Sequence, residues 1–175
     1  MKMTGAQIII KSLKDHGIDV VTGIPGSANL PIYSELSRSG ITHILARHEQ
    51  GAGFFAQGVA RSTGRPAVVM ATSGPGVMNL LTAIADANLD SVPVIAITGQ
   101  VALPLIGTDA FQEVNTYGLT FPIAKHSYLV KNAAELPQVM ANAFRVAVSG
   151  RPGPVVIDVP KDIQNQEVEL ADSEM

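Results

Sequence analysis

The sequence predicts an α/β fold: a doubly wound, mostly parallel sheet of about six strands flanked by helices. Three observations point there. Apolar runs at 67–72, 92–98 and 154–159, the first two uncharged and the last broken only by Asp158, have the length of strands and are bounded by Gly or Pro, as in a sheet buried on both faces. Segments with helical spacing of apolar residues separate the strands. Hydrophobic residues make up 46% of the chain and charged residues 15%, well under the roughly 25% charged of an average soluble domain. That balance suits covered parallel strands, or a domain that buries more surface against neighbours than a free monomer would. A chain of 175 residues is long enough for one full core.

In chain order, residues 4–16 read as a helix with Thr4 as N-cap, Ile8, Ile9 and Leu13 as its apolar stripe, and Gly17 as its stop. Residues 20–24 form a short strand ending in the turn Pro25-Gly26-Ser27. A helix over 28–38 stops near Gly40, and a strand follows at 41–46. The next helix opens at Glu49 and runs to Thr63. After the strand at 67–72, a helix over 76–89 should face Leu80, Leu81, Ile84 and Leu89 inward. Residues 99–122 lack periodicity, and a connection this long within a compact domain is usually functional. The chain then gives a strand at 127–131, a helix at 133–148, the turn Gly150-Arg151-Pro152-Gly153 and a last strand at 154–159. After Pro160 it turns polar. The expected domain therefore spans 1–163, with 164–175 as the start of a linker to a further, middle domain.

A doubly wound sheet binds ligands beyond the carboxyl ends of its strands. Four stretches fall there: 23–27, 47–51, 72–76 and 98–112. The organising one is Arg47-His48-Glu49-Gln50-Gly51, because Glu49 meets Ala52 and Gly53 one turn on. A carboxylate beside two near-absent side chains either complements its own helix dipole or faces a packed element or a flat ligand. Ser73-Gly74-Pro75-Gly76 is not a phosphate loop, since no Gly-Lys-Ser/Thr follows and Pro75 lacks an N–H. A dinucleotide fingerprint fails too: Asn79 stands at the third glycine position and no acidic residue closes the next strand at Thr98. What remains is a tight turn, or a backbone wall for a neutral ring with the Asn79 amide nearby.

Other chemistries find no footing. His48 has no second His at metal spacing, and His16, His43 and His126 fall on separate elements, so no zinc site is expected. There is no Gly-x-Ser-x-Gly element, and Asp86 and Asp90 read as a solvated helix face. The absence of Cys excludes disulfides and thiol chemistry. A net charge of −3 without a basic cluster gives no footprint for nucleic acid. No apolar run reaches the roughly 18 residues of a membrane helix, and Lys11, Lys14 and Asp15 break any signal-peptide pattern. The expectation is a cytoplasmic protein that binds neither nucleic acid nor membrane.

Arg47-His48-Glu49-Gln50, Ala71-Thr72-Ser73-Gly74-Pro75-Gly76, Asn79-Leu80, Asp90-Ser91-Val92-Pro93 and Ile97-Thr98-Gly99-Gln100 occur in that order. They are followed by Ile-Gly-Thr-Asp-Ala-Phe-Gln-Glu at 106–113, by Lys125-His126, and by the segment 149–163. This series resembles the N-terminal, pyrimidine-binding domain of thiamine-diphosphate enzymes. Among these it is most similar to the catalytic subunits of the acetohydroxyacid synthase (acetolactate synthase) family, over residues 4–165.

The resemblance implies catalytic roles for Glu49 and Gln112. Glu49 would hydrogen-bond the pyrimidine ring nitrogen and favour the imino form, whose amino substituent removes the thiazolium C2 proton. Desolvation around a carboxyl favours its protonated form, which suits such proton sharing. Pro25, Gly26, Glu49, Pro75 and Asn79 would contact the cofactor, and Phe111 and Lys125 would line the substrate approach. The implied reaction decarboxylates pyruvate, with the cofactor as electron sink, and joins the remainder to a second 2-keto acid in branched-chain amino acid biosynthesis.

Mg²⁺ and FAD are implied for the complete enzyme, bound mainly by other domains, because the family's Gly-Asp-Gly motif does not occur here. No metal ligand is expected in this chain. The implied partners are a second subunit, in a homodimer or tetramer formed through this domain, whose diphosphate domain completes the site, and a small regulatory subunit. Alone, the chain is expected to be inactive. Two alternatives stand beside this reading. One is a free-standing binding or regulatory module of the same fold. The other is a different carboligase, such as a glyoxylate carboligase, which typically carries an apolar residue at the position of Glu49. Phe111-Gln112-Glu113 favours the biosynthetic, flavin-containing type. Pro25-Gly26-Ser27 departs from the common Pro-Gly-Gly, and Ala102-Leu103-Pro104 from the Pro-Arg-Arg of plant-like members.

Overall fold

The computed structural model describes residues 1–170. In chain order β1 (Lys2–Thr4), α1 (Gly5–Asp15), β2 (Val20–Gly23), α2 (Leu30–Leu36), β3 (Thr42–Leu45) and α3 (Glu49–Thr63) come first. Then follow β4 (Ala67–Ala71), α4 (Pro75–Leu89), β5 (Val94–Gln100) and the short α5 (Thr116–Thr120). β6 (His126–Leu129), α6 (Leu136–Val148), β7 (Val155–Pro160), α7 (Lys161–Asn165) and β8 (Glu167–Glu169) complete the order. Six strands form one parallel sheet in the order β3-β2-β4-β5-β7-β6. The doubly wound reading holds. The chain builds outward from β2 in both directions, so the β2/β4 boundary is the topological switch point.

Local chemistry explains the helix ends. The Thr4 hydroxyl accepts from the Gln7 N–H while the Gln7 side chain accepts from the Thr4 N–H, a complete capping box on α1. The His48 ring nitrogen accepts from the Gln50 N–H at the start of α3, and α4 opens on Pro75, whose missing N–H costs a helix nothing there.

Alternating residues of the central strands feed two cores. Val68, Met70, Ile95, Ile97, Val155 and Ile157 face α1, α2 and α6. On the other face Val69, Ala71, Ala96 and Val156 meet α3 and α4, mostly through Ala52, Ala56, Ala60, Ala83 and Ala87. This second layer is built of small residues, so α3 and α4 approach closely.

Three expectations change. Leu89 is exposed rather than inward-facing; it lies nine residues beyond Leu80, about 180° around a helix of roughly 3.6 residues per turn. The buried stripe of α4 is instead Val77, Leu80, Ala83, Ile84 and Ala87. The folded unit also runs past residue 163. Gln164 is fully buried, and β8 pairs antiparallel with β1, with Lys2 and Glu167 bridged at 2.5 Å. The polar residues of this segment belong to α7, where Gln164 donates inward to the carbonyls of Ala28 and Val159, and to the β1–β8 edge ribbon. Residues 171–175, the remainder of the expected linker, lie outside the described residues. Finally, the 99–122 stretch, expected to be an irregular connection, holds regular structure, since β5 continues to Gln100 and α5 forms within it. No helix among the described residues is long and apolar enough to cross a membrane.

Candidate functional site

The carboxyl edge of the sheet brings together the β2–α2 turn, the start of α3, the β4–α4 turn and the loop after β5. Glu49 is the first residue of α3 and only 8% exposed, on the edge beside the switch point. Asn79, one turn into α4, donates from Nδ2 to Glu49 Oε2 at 3.0 Å. The two helices hold this pair at a spacing set one turn further on. A side-chain carbon on Gly53 would lie 2.4 Å from the Ala83 methyl, which no real pair of carbons allows. Gly53 follows Glu49 by four residues and Ala83 follows Asn79 by four, so the glycine contact and the hydrogen bond lie on the same helix faces.

Around this carboxyl the turns lock to one another. The Gly26 N–H donates to Asn29 Oδ1 at 2.8 Å, and the Ala28 N–H donates to Thr72 Oγ1 at 3.3 Å, tying the Pro25-Gly26 turn to the end of β4. Gly74 has φ +59°, and a side chain there would meet the Gln112 carbonyl at 2.6 Å. The β4–α4 turn therefore packs directly on the backbone of Gln112, which itself sits in the left-handed region at φ +57°. The Glu113 carboxylate accepts from the N–H groups of Gly107, Thr108 and Ala110, folding the preceding loop around itself. Phe111, beside Gln112, is 83% exposed.

Pro25, Gly26, Glu49, Pro75, Asn79, Phe111 and Gln112 thus all sit on this edge. Lys125 does not. It lies just before β6, at the amino end of the parallel strands, and its amine donates to the carbonyls of Val146 and Ser149 at the end of α6. Desolvation lowers its pKa from the ordinary lysine value. Its position caps a helix dipole on the far side of the sheet from Glu49.

Sequence reasoning missed several residues at the edge. Tyr33 is buried at its hydroxyl with no protein partner among the described residues, edge-on to His43 with ring centroids 5.0 Å apart. Burial, and secondarily the Glu49 charge, push its pKa upward. Gly53 was noted for its size but not as the spacer of two helices. Asp158, in β7, is 3% exposed and accepts from Thr98 Oγ1 at 2.6 Å and from Gln100 Nε2 at 3.0 Å. No local sequence signal marks any of these, because each depends on what another element places opposite it. Asp90, read as solvated, pairs with Arg61 at 2.7 Å on the surface.

Chemically, Glu49 offers a carboxyl with one oxygen fixed by an amide and the other free of protein partners among the described hydrogen bonds. A side-chain carbon on Gly76 would stand 3.5 Å from that Oε1. The same carbon would meet the Thr72 methyl at 2.9 Å, so a residue without a side chain lets the β4–α4 turn lie this close to the carboxyl. Among the described residues no three His, Asp or Glu side chains converge to hold a metal ion.

Comparison with known proteins bears on this edge. The family model described as "Thiamine pyrophosphate enzyme, N-terminal TPP binding domain" matches residues 3–119. The chain is 64% identical over 170 residues to the acetolactate synthase isozyme 1 large subunit of Escherichia coli, covering 97% of this chain and 30% of that protein. It is 56% identical over 170 residues to the acetolactate synthase large subunit of Corynebacterium glutamicum, covering 97% and 27%. With the isozyme 2 large subunit of Escherichia coli the figures are 57% over 162 residues, 93% and 30%. The chain therefore spans under a third of the length of these relatives. The matched residues include Glu49, Asn79, Gly74 and Gln112, and with them the edge just described: this chain belongs to the thiamine pyrophosphate enzymes, as their N-terminal TPP-binding domain.

Proposed function

We propose that this chain supplies the pyrimidine side of the thiamine diphosphate site in an acetolactate synthase large subunit. The complete protein would decarboxylate pyruvate and join the remainder to a second 2-keto acid, in branched-chain amino acid biosynthesis. The observation that carries the reading is the Glu49 carboxyl, buried at the switch point, held by Asn79 through one oxygen and open at the other beside Gly76. That donor set fits an aminopyrimidine, which needs one carboxyl to share a proton with its ring nitrogen. When bound, the cofactor supplies the electron sink for loss of carbon dioxide.

The chain's own residues do the rest. Glu49 presents Oε1 to the proton of the ring nitrogen and Asn79 fixes the carboxyl plane. The Pro25-Gly26 and Pro75-Gly76 turns wall the ring, and Gln112 with Phe111 faces the substrate. Lys125, on the opposite edge, has no part in this proposal. Mg²⁺ and FAD would be held by parts of the protein beyond these residues, and no step here runs through them.

A partner subunit fits beside the same edge. Phe54 and Phe55 of α3 and Met78 of α4 are 40%, 43% and 56% exposed, next to Glu49 and Asn79 along their helices, and an apolar patch of this kind marks an interaction surface. A homodimer or tetramer through this face would set a partner's diphosphate domain against Glu49, and a small regulatory subunit and a cytoplasmic location belong to the same proposal. Glu49→Gln in the full-length protein tests it. Removing the proton-sharing group should lower kcat about 10²–10⁴-fold, with folding and oligomeric state intact. Turnover within a factor of a few of the parent would overturn the assignment.

A further inference from the structure

We propose that Asp158 is a positioning residue for the Phe111–Gln112 loop, acting through Gln100 and Thr116. The inference rests on the reading of Gln112 as a residue of the active edge. Asp158 is buried in β7 and faces β5. It accepts from the Thr98 hydroxyl at 2.6 Å and from Gln100 Nε2 at 3.0 Å. Gln100 Nε2 also reaches the Val114 carbonyl at 2.8 Å and Thr116 Oγ1 at 3.3 Å. The carboxyl is thus the hub that fastens 114–116 to the end of β5. Those residues directly follow Phe111, Gln112 and Glu113. On the other side the same loop is pressed by Gly74. Gln112, held at φ +57°, lies between two fixed points, and a left-handed non-glycine conformation persists only where its surroundings enforce it.

The groups facing Asp158 are all neutral: Thr98 and Gln100 from β5, Thr116 from α5, and Leu129 opposite it in β6. It takes part in none of the ion pairs among the described residues. Burial raises its pKa to about 7, against the opposing pull of its hydrogen bonds. The hub therefore changes charge near neutral pH. As a carboxylate it accepts both bonds with charge assistance; on protonation the one from Gln100, which leads to 114–116, weakens. By linkage, the hydrogen bond that ties this hub to the loop and the ionised carboxyl favour one another, while burial in the sheet favours the neutral form.

The test is amide hydrogen exchange by mass spectrometry on the full-length protein, with peptides covering 107–116, corrected for intrinsic rates, at pH 6 and pH 8. In the parent, protection of this segment should fall several-fold at the lower pH. Asp158→Asn should show the lower protection at both pH values. Thr116→Val, a milder change, should lower protection at pH 8 while β4 and α4 peptides stay as in the parent. In turnover with a 2-keto acid, both variants should lower kcat/KM several-fold at unchanged thiamine diphosphate affinity, and Asp158→Asn should lose the pH dependence near 7. Parent-like, pH-dependent protection in Asp158→Asn would overturn the proposal. So would a loss of protection in both variants that spreads equally to β4 and α4. If the loop responds as stated while Glu49→Gln keeps full turnover, the cofactor reading fails and the positioning role stands.

Discussion

Gly53→Ala probes the spacing of α3 and α4 at the one point where it governs the carboxyl. The added carbon would sit 2.4 Å from the Ala83 methyl, where an ordinary carbon contact needs about 3.5–4.0 Å. The helices must therefore part by about 1–1.5 Å. One turn earlier on the same faces, the Asn79–Glu49 bond begins at 3.0 Å and would stretch to about 4 Å or beyond, out of hydrogen-bond reach. Losing a hydrogen bond to a charged group costs about 1.5–3 kcal/mol. If that bond orients Glu49 in the transition state, kcat/KM falls roughly 10–150-fold. Stability falls too, by that lost bond and by the repacking together. Overpacking costs about 1–3 kcal/mol, offset by about 1 kcal/mol from replacing glycine within a helix.

The assay is kcat/KM and thiamine diphosphate affinity of the full-length enzyme, with thermal unfolding in parallel. Ala83→Gly, introduced second, removes the opposing methyl and should restore most of the catalytic loss while costing about 1 kcal/mol of stability. Parent-like kinetics in Gly53→Ala, or a double variant no better than the single one, would refute the reasoning.

Three other outcomes follow from the structure. Gly74→Ala forces a side chain into φ +59° against the Gln112 carbonyl, so Tm should drop by an amount matching at least about 1–2 kcal/mol, with faster exchange in 107–113; an unchanged Tm counts against the contact. Lys125→Met removes two donors from the end of α6 and should cost about 0.3–1 kcal/mol in urea unfolding with kcat and KM unaltered; a fall in kcat/KM would return Lys125 to the substrate path. Asp158 is raised from 3.8 to about 7 by burial, so the folded protein binds this proton more tightly than the unfolded chain. Its stabilising contribution is full below pH 3.8 and lost as pH rises through 7; Asp158→Asn should flatten that slope in unfolding free energies measured from pH 5 to 8.

The parallel strands were legible because runs such as 67–71 and 94–98 are uncharged along their whole length and bounded by Gly or Pro, a local signal that burial on both faces imposes. Glu49 was legible for the opposite reason: a carboxylate placed before Ala52 and Gly53 is locally odd. What escaped depends on distant partners. The β1–β8 ribbon joins strands of three residues from the two ends of the described chain, and neither carries a pattern of its own. Asp158 sits inside an apolar run, and only the side chains of Thr98, Gln100 and Thr116 show why a charge is tolerated there. Leu89 misled because a hydrophobic residue at a helix end was counted without its angle around the axis. Lys125 misled because neighbouring motifs in sequence lie on opposite edges of a parallel sheet.

The Glu113 clamp has a consequence for how acids meet this edge. Successive N–H groups curving around one point make a receptor for an anion, and in the 107–110 turn that receptor is already filled by the chain's own carboxylate. On the function proposed above, a 2-keto acid would find no vacancy there, and its carboxylate would be read by a cation or N–H group outside this loop. Those backbone hydrogen bonds, that of Gly107 foremost, also hold the Glu113 pKa below the usual carboxylate range. The self-filled receptor therefore keeps its charge on acidification, after the buried hub in β7 has taken up its proton, and the loop retains its internal shape even where its moorings to the sheet have slackened.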